Sequence, residues 1–236
     1  MKTTIKAISI AITCATALNA FAGDEAMLNK LREHYPKTSF SEVNQSEVKG
    51  VYEVVMGKNI AYTDDSGRYF VFGHMFDMVS QADLTAARKE QLNRVEWPKA
   101  HLKNAIKIVK GKGERSLAVF SDPDCPFCKQ LEGELAKLDN VTIYVFLYPI
   151  DSLHPDARQK AVSIWCDLNQ AKAWTDWMLG GKEPKLRACI NPINDNVALA
   201  MKYNVTGTPT LISEDGRVLP GAVPASRIEA WLGVKS

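Results

Sequence analysis

Several things are scarce in this sequence of 236 residues. Net charge is nearly absent: 29 Lys plus Arg stand against 27 Asp plus Glu, a formal +2. That balance excludes the strongly basic footprint of a nucleic-acid binder. Long apolar runs are missing too, and none reaches the ~18 residues that a membrane-spanning helix needs. Histidine is rare, and His34, His74, His101 and His154 are scattered without ligand spacing, which argues against metal-assisted hydrolysis. No internal repeat or low-complexity tract occurs, and no residue pattern asks for a cofactor. What is present is ordinary globular material. Hydrophobic residues make up 46% and charged residues 24%, close to a soluble domain, and the length suits one or two domains.

The first residues read as an address. Lys2 and Lys6 give a basic start, residues 7–22 are mostly apolar and small, and Ala20-Phe21-Ala22 precedes the polar Gly23-Asp24-Glu25. This is the layout of a secretory leader covering residues 1–22. Its removal would take two lysines and no acid, leaving cations and acids in balance. Of the five cysteines, Cys14 would leave with it. Cys125, Cys128, Cys166 and Cys189 remain, an even number in an exported chain, which suggests two disulfides with three possible connectivities. A four-Cys zinc site competes poorly, because Cys166 and Cys189 do not form a second close pair.

Patterning then suggests two folded units joined by a linker. Residues 24–34 place Met27, Leu28 and Leu31 on one side of a short helix that Pro36 stops. Residues 51–56, 60–63 and 69–72 read as strands, with Asp64-Asp65-Ser66-Gly67 as a hairpin turn. This β-rich unit, residues 23–82, is small enough to be marginal alone, so pairing with a second copy is expected. Residues 83–94 are polar and helix-prone, with Asp83 as N-cap, and open a linker helix across residues 83–104. From residue 105 to 236 the order is strand, strand, helix through Leu138, then a fully apolar strand at 141–147 that fits burial on both faces. Helices follow at 155–165, 171–179 and 194–203, then a hairpin of 210–213 with 217–219, and a closing helix at 224–232.

The chemistry concentrates at Cys125. Phe120-Ser121-Asp122-Pro123-Asp124 places a strand end just before Cys125-Pro126-Phe127-Cys128. Pro126 suits the first helical position, where its missing N–H costs nothing. Cys125 is therefore expected at an exposed helix N-terminus, where unpaired N–H groups and the dipole favour the thiolate, the species that attacks disulfides. Asp122 and Asp124 oppose that effect. Cys128, one turn inside, is expected to be shielded. Further on, Val205-Thr206-Gly207-Thr208-Pro209-Thr210 brings an X-Pro bond into a strand, a candidate for the cis form.

Cys125-Pro126-Phe127-Cys128 together with Gly207-Thr208-Pro209 resembles the thioredoxin fold. More narrowly, the chain is similar to the periplasmic disulfide isomerases of the DsbC/DsbG family across essentially the whole mature length. Tyr62-Thr63-Asp64-Asp65-Ser66-Gly67-Arg68, Phe120-Ser121-Asp122, Ile164-Trp165-Cys166, Val205-Thr206-Gly207-Thr208-Pro209 and Val218-Leu219-Pro220-Gly221 carry the likeness in their shared order. The resemblance implies a small cystatin-like α+β dimerisation domain, a linker helix, and an α/β thioredoxin domain with a helical insertion. It implies a periplasmic V-shaped homodimer whose clients are misoxidised exported proteins and whose membrane reductant resembles DsbD. It makes Cys125 the attacking cysteine and Cys128 the resolving one, with Thr208 and Pro209 the loop opposite. Cys166 and Cys189 become a buried, non-catalytic disulfide. One departure stands out. The best-known isomerase has Gly-Tyr between its cysteines, whereas Pro126-Phe127 is closer to the Pro-Tyr of DsbG and the Pro-His of the DsbA oxidases. A DsbA-like oxidase or a DsbG-like reductase or chaperone is the alternative, while Thr208 favours the isomerase branch.

Overall fold

The computed structural model describes residues 24–233; the expected leader at residues 1–22, with Cys14, lies outside them. The chain divides into two units between Lys89 and Glu90. None of the described helices is long and apolar enough to cross a membrane.

In the first unit, Asp24 starts helix α1 (Glu25–His34) by accepting the Met27 N–H at 2.9 Å. Met27, Leu28 and Leu31 form its buried face. Strands β1 (Glu42–Gln45), β2 (Val51–Met56), β3 (Asn59–Asp64) and β4 (Phe70–Phe72) make an antiparallel meander in that order. The α1 face closes over Phe40, Val43 and Val54. The β3–β4 turn rests on the same helix. Tyr35 donates its hydroxyl to the Gly67 carbonyl at 2.9 Å. A Cβ on Gly67, at φ 69°, would lie 2.8 Å from Leu31, so glycine is required by backbone and by space. A short ladder of β5 (Phe76–Asp77) with β6 (Ala82–Asp83) leads into helix α2 (Leu84–Leu92). Asp83 does cap it, accepting the Ala86 N–H at 2.9 Å.

The helix expected from residue 83 is shorter than its polar composition suggests. It ends at Leu92, and a 3₁₀ turn at Lys99–Asn104 precedes the second unit. The Arg94 N–H turns back to the Gln91 carbonyl and the Val95 N–H goes to the Gly216 carbonyl, which takes the chain out of the helical ladder, and Pro98 then keeps Trp97 from resuming it.

The second unit holds a five-stranded sheet built from β7 (Ile106–Lys110), β8 (Arg115–Ser121), β9 (Val141–Leu147), β10 (Thr210–Ser213) and β11 (Val218–Pro220). Its order is β11-β10-β8-β9-β7. Only β8 and β9 run parallel, and helix α3 (Pro126–Leu135) makes the crossover between them. Strand alternation sorts the sheet into two buried faces. Leu117, Val119, Ile143 and Val145 meet α3 through Leu131 and Leu135. Ala118, Phe120 and Phe146 face the other way, with Phe120 and Phe146 stacked at 5.1 Å.

Between β9 and β10 the chain inserts α4 (Ala157–Trp165), α5 (Gln170–Gly180) and α6 (Ile193–Lys202), and α7 (Ala225–Gly233) closes the unit. Leu199 and Ala200 of α6 cover the second face. Ala161 and Ile164 of α4, Trp174 and Met178 of α5 and Ile228 of α7 complete the first. The observed class is the expected one: an α+β unit followed by a thioredoxin-like unit with a helical insertion.

Candidate active site

Strand β8 ends at Ser121, opposite Leu147 of its parallel neighbour β9. The Asp122-Pro123-Asp124 turn follows and delivers Cys125 to the head of α3. Asp122 organises this turn. Its fully buried carboxylate accepts the Asp124 N–H at 2.8 Å and the Ile150 N–H at 2.7 Å, and lies 3.0 Å from His154 Nδ1. Its carbonyl accepts the Cys125 N–H at 3.2 Å. Cys125 is extended, at φ −70° and ψ 122°, and occupies the N-cap position with Pro126 just inside the helix.

One expectation is corrected here. Cys125 is not exposed: 5% of its surface remains accessible. The Thr208 carbonyl oxygen lies 3.5 Å from its Sγ, so the loop before β10 comes down against the sulfur. Pro126 and Phe127, between the cysteines, are the exposed members, Phe127 at 61%. The Thr208–Pro209 peptide bond is cis. The structure thus brings Cys125, Cys128, Thr208 and Pro209 together although the two pairs are far apart in sequence.

Cys128 has no accessible surface. Burial pushes its thiol up to about 12, against the opposing pull of the Asp122 N–H. The Asp122 nitrogen lies 3.4 Å from its Sγ. Both cysteines are free thiols, so this geometry is that of the dithiol.

Cys166 and Cys189 form a disulfide that ties the end of α4 to the irregular segment before α6. It is not buried as the resemblance implied. Cys166 is half-buried and Cys189 is exposed, because residues 181–192 run over the surface without regular structure.

Three neighbouring groups escaped the sequence reading. Lys160 of α4 reaches both oxygens of Asp124 at 2.9 Å. Trp177 of α5 donates its indole N–H to the Pro123 carbonyl at 2.7 Å. Glu132, one turn beyond Cys128, is buried and accepts the Trp174 indole N–H at 2.9 Å. Nothing local in the sequence signals these contacts, which span 36, 54 and 42 residues. Among the described residues no cluster of three or more His, Cys, Asp or Glu could hold a metal ion.

A Cys-x-x-Cys unit at the start of a crossover helix, facing an X-Pro loop on this sheet, defines a thioredoxin-like protein with a dithiol site. Comparison with known proteins narrows that class. Residues 102–234 match the thioredoxin-like domain model, and residues 18–86 match the disulfide bond isomerase protein N-terminal domain. The chain belongs to the thioredoxin-like family by its second unit, its first unit matches the N-terminal domain of disulfide bond isomerase proteins, and it spans 65% of the length of the first relative below. It is 40% identical over 183 residues to the "Probable thiol:disulfide interchange protein DsbC" of Bordetella pertussis, a match covering 78% of this chain and 65% of that protein. With the thiol:disulfide interchange protein DsbC of Escherichia coli strain K12 it shares 27% identity over 227 residues, 92% of each chain. A crystal structure of a disulfide interchange protein from Neisseria gonorrhoeae superposes with a TM-score of 0.54 at 48% identity, over 56% of this chain and 94% of that one.

Proposed function

We propose that this chain is a protein disulfide isomerase that rearranges wrong disulfides in exported proteins through Cys125 and Cys128. The observation that carries the reading is the division of labour at the head of α3. Cys125 stands at the N-cap position of the helix, while Cys128 is fully buried with its thiol pushed up to about 12. The Cys125 thiolate attacks one sulfur of a wrong client disulfide. A Cys125–client disulfide forms, the client bond breaks, and the other client sulfur leaves as a thiolate. That thiolate attacks a further disulfide of the same client. The last client thiolate attacks the client sulfur of the mixed disulfide and releases Cys125 as it began, so nothing is oxidised or reduced overall.

Resolution is the escape from this cycle. Cys128 must lose its proton before it can attack Cys125 Sγ and release the client with both sulfurs reduced. A thiol held protonated at neutral pH makes that escape slow. Slow escape lengthens the life of the mixed disulfide and favours rearrangement over simple reduction. An enzyme that does leave oxidised needs its electron pair returned by a dithiol, here a membrane reductant resembling DsbD. Thr208 and Pro209 line the opposite wall, where an extended client segment can lie. The periplasm suits both the leader pattern of residues 1–22 and the Cys166–Cys189 disulfide, a bond that persists in oxidising compartments. The first unit supplies homodimer contacts. Its β4 lies at the edge of its sheet, with Val71 64% and Phe72 68% exposed.

The test is recovery of activity from a scrambled multi-disulfide substrate in a glutathione buffer. Fast recovery is expected, lost in Cys125→Ser and largely kept in Cys128→Ser. Absence of recovery together with rapid oxidation of a reduced substrate would replace the isomerase by the oxidase that Pro126-Phe127 suggests.

A further inference from the structure

Two carboxylates stand beside the attacking cysteine in sequence, and both should disfavour its thiolate. The structure deals with them differently. Asp122 is buried among the Asp124 and Ile150 N–H groups, with His154 at 3.0 Å. Asp124, immediately before Cys125, has its own counter-charge. Lys160 Nζ lies 2.9 Å from each of its carboxylate oxygens, and both side chains are largely withdrawn from solvent at 18% and 15% exposure. A pair this sheltered is screened less by salt than a surface pair.

Lys160 is held in turn by Trp177. Its ammonium lies 5.1 Å from the centre of the indole ring, and the Lys129 ammonium lies 4.0 Å from the same ring. The indole N–H anchors the Pro123 carbonyl, two residues before the cysteine. Elements α3, α4 and α5 thus each bring one side chain to a single arrangement around the 122–125 turn. Burial works against the charge of Lys160, but Asp124 above all, with Glu183 and Asp156, outweighs it and raises its affinity for its proton, so it stays cationic through the neutral range.

We propose that Lys160 is a positioning residue that sets the reactivity of Cys125. It cancels the charge of Asp124 and fixes the turn that presents the sulfur, with Trp177 as its platform. This rests on Cys125 being the attacking thiol. Lys160 does not touch the reacting atoms; it acts through Asp124.

The experiment is the pH profile of iodoacetamide labelling of the reduced full chain, with the labelled cysteine identified by peptide mapping. Lys160→Gln leaves the Asp124 charge uncompensated, so Cys125 labelling near neutral pH should slow by about three- to tenfold and the profile should move to higher pH. Asp124→Asn leaves the lysine in excess, so the profile should move to lower pH and labelling should quicken. The double variant should return close to wild type. A merely structural role would not reverse sign between the two single variants. Profiles that coincide for wild type and Asp124→Asn would overturn the proposal, even if Lys160→Gln proved poorly folded. First labelling at Cys128 would instead sink the reading of Cys125 as the attacking thiol, and the proposal with it.

Discussion

Glu132 is a carboxylic acid almost wholly withdrawn from water, on the same helix as the two thiols. Burial pushes it up to about 7 from 4.5, against the opposing pull of the Trp174 N–H and the Lys110 charge. The folded chain therefore keeps this proton where the unfolded chain has released it. Stability from this group is complete below about 4.5 and is lost as the pH rises through about 7. The loss amounts to at most about 3 kcal/mol. Glu132→Gln keeps an acceptor for the Trp174 N–H and has no proton to lose. Urea unfolding across that window should show wild type weakening relative to the variant, and parallel curves would refute it. The cysteines and Pro209 were legible because their chemistry is written in contiguous motifs. Glu132, Lys160 and Trp177 were not, since each side chain takes its meaning from a partner on another element. The burial of Cys125 was missed for the same reason, as the covering Thr208 carbonyl comes from a distant loop.

Among the elements, the β10–β11 hairpin shows how closely the connecting segment is tied to the second unit. Val95 donates its N–H to the Gly216 carbonyl at 2.9 Å. A Cβ on Gly216, at φ 84°, would fall 2.1 Å from the Val95 carbonyl oxygen. Beside it, Arg217 pairs with Asp215 at 2.7 Å and lies 3.7 Å from Glu90, its guanidinium 5.3 Å from the Trp231 ring. Gly216→Ala meets both the backbone penalty and the clash, and should cost about 2 kcal/mol or more. Tryptophan fluorescence during urea unfolding reads this directly, because all five tryptophans lie after residue 90. An unchanged midpoint would contradict it. The hairpin itself was readable from Glu214-Asp215-Gly216, and β8 and β9 from their apolar runs. Strand β1 was not, because Glu42-Val43-Asn44-Gln45 is polar with only Val43 buried. The 3₁₀ turn at Lys99–Asn104 has no buried residue to give it a period.

On the scale of the whole molecule, the first unit carries an open sheet edge. Tyr69 is 63%, Val71 64% and Phe72 68% exposed along and beside β4, where a second copy would add its own strand. Val71→Glu should leave the fold of each unit within about 0.5 kcal/mol, as surface changes usually do. It should convert a dimer into a monomer in sedimentation equilibrium, with the rate of Cys125 labelling unchanged. A variant that stays dimeric would move the dimer contact elsewhere. The small size and turn pattern of this unit suggested pairing from sequence, but which strand is outermost follows only from the meander order.

That edge has a colloidal consequence. An unpaired apolar strand invites irregular association with any other unpaired strand, and a formal net charge of only +2 supplies little repulsion to prevent it. Pairing two copies hides the edge, and mass action makes pairing more complete as the protein is concentrated. On dilution a larger fraction of the chains stands as monomers with the edge open, so the share of the protein lost by adsorption to vessel walls should rise as the solution is diluted.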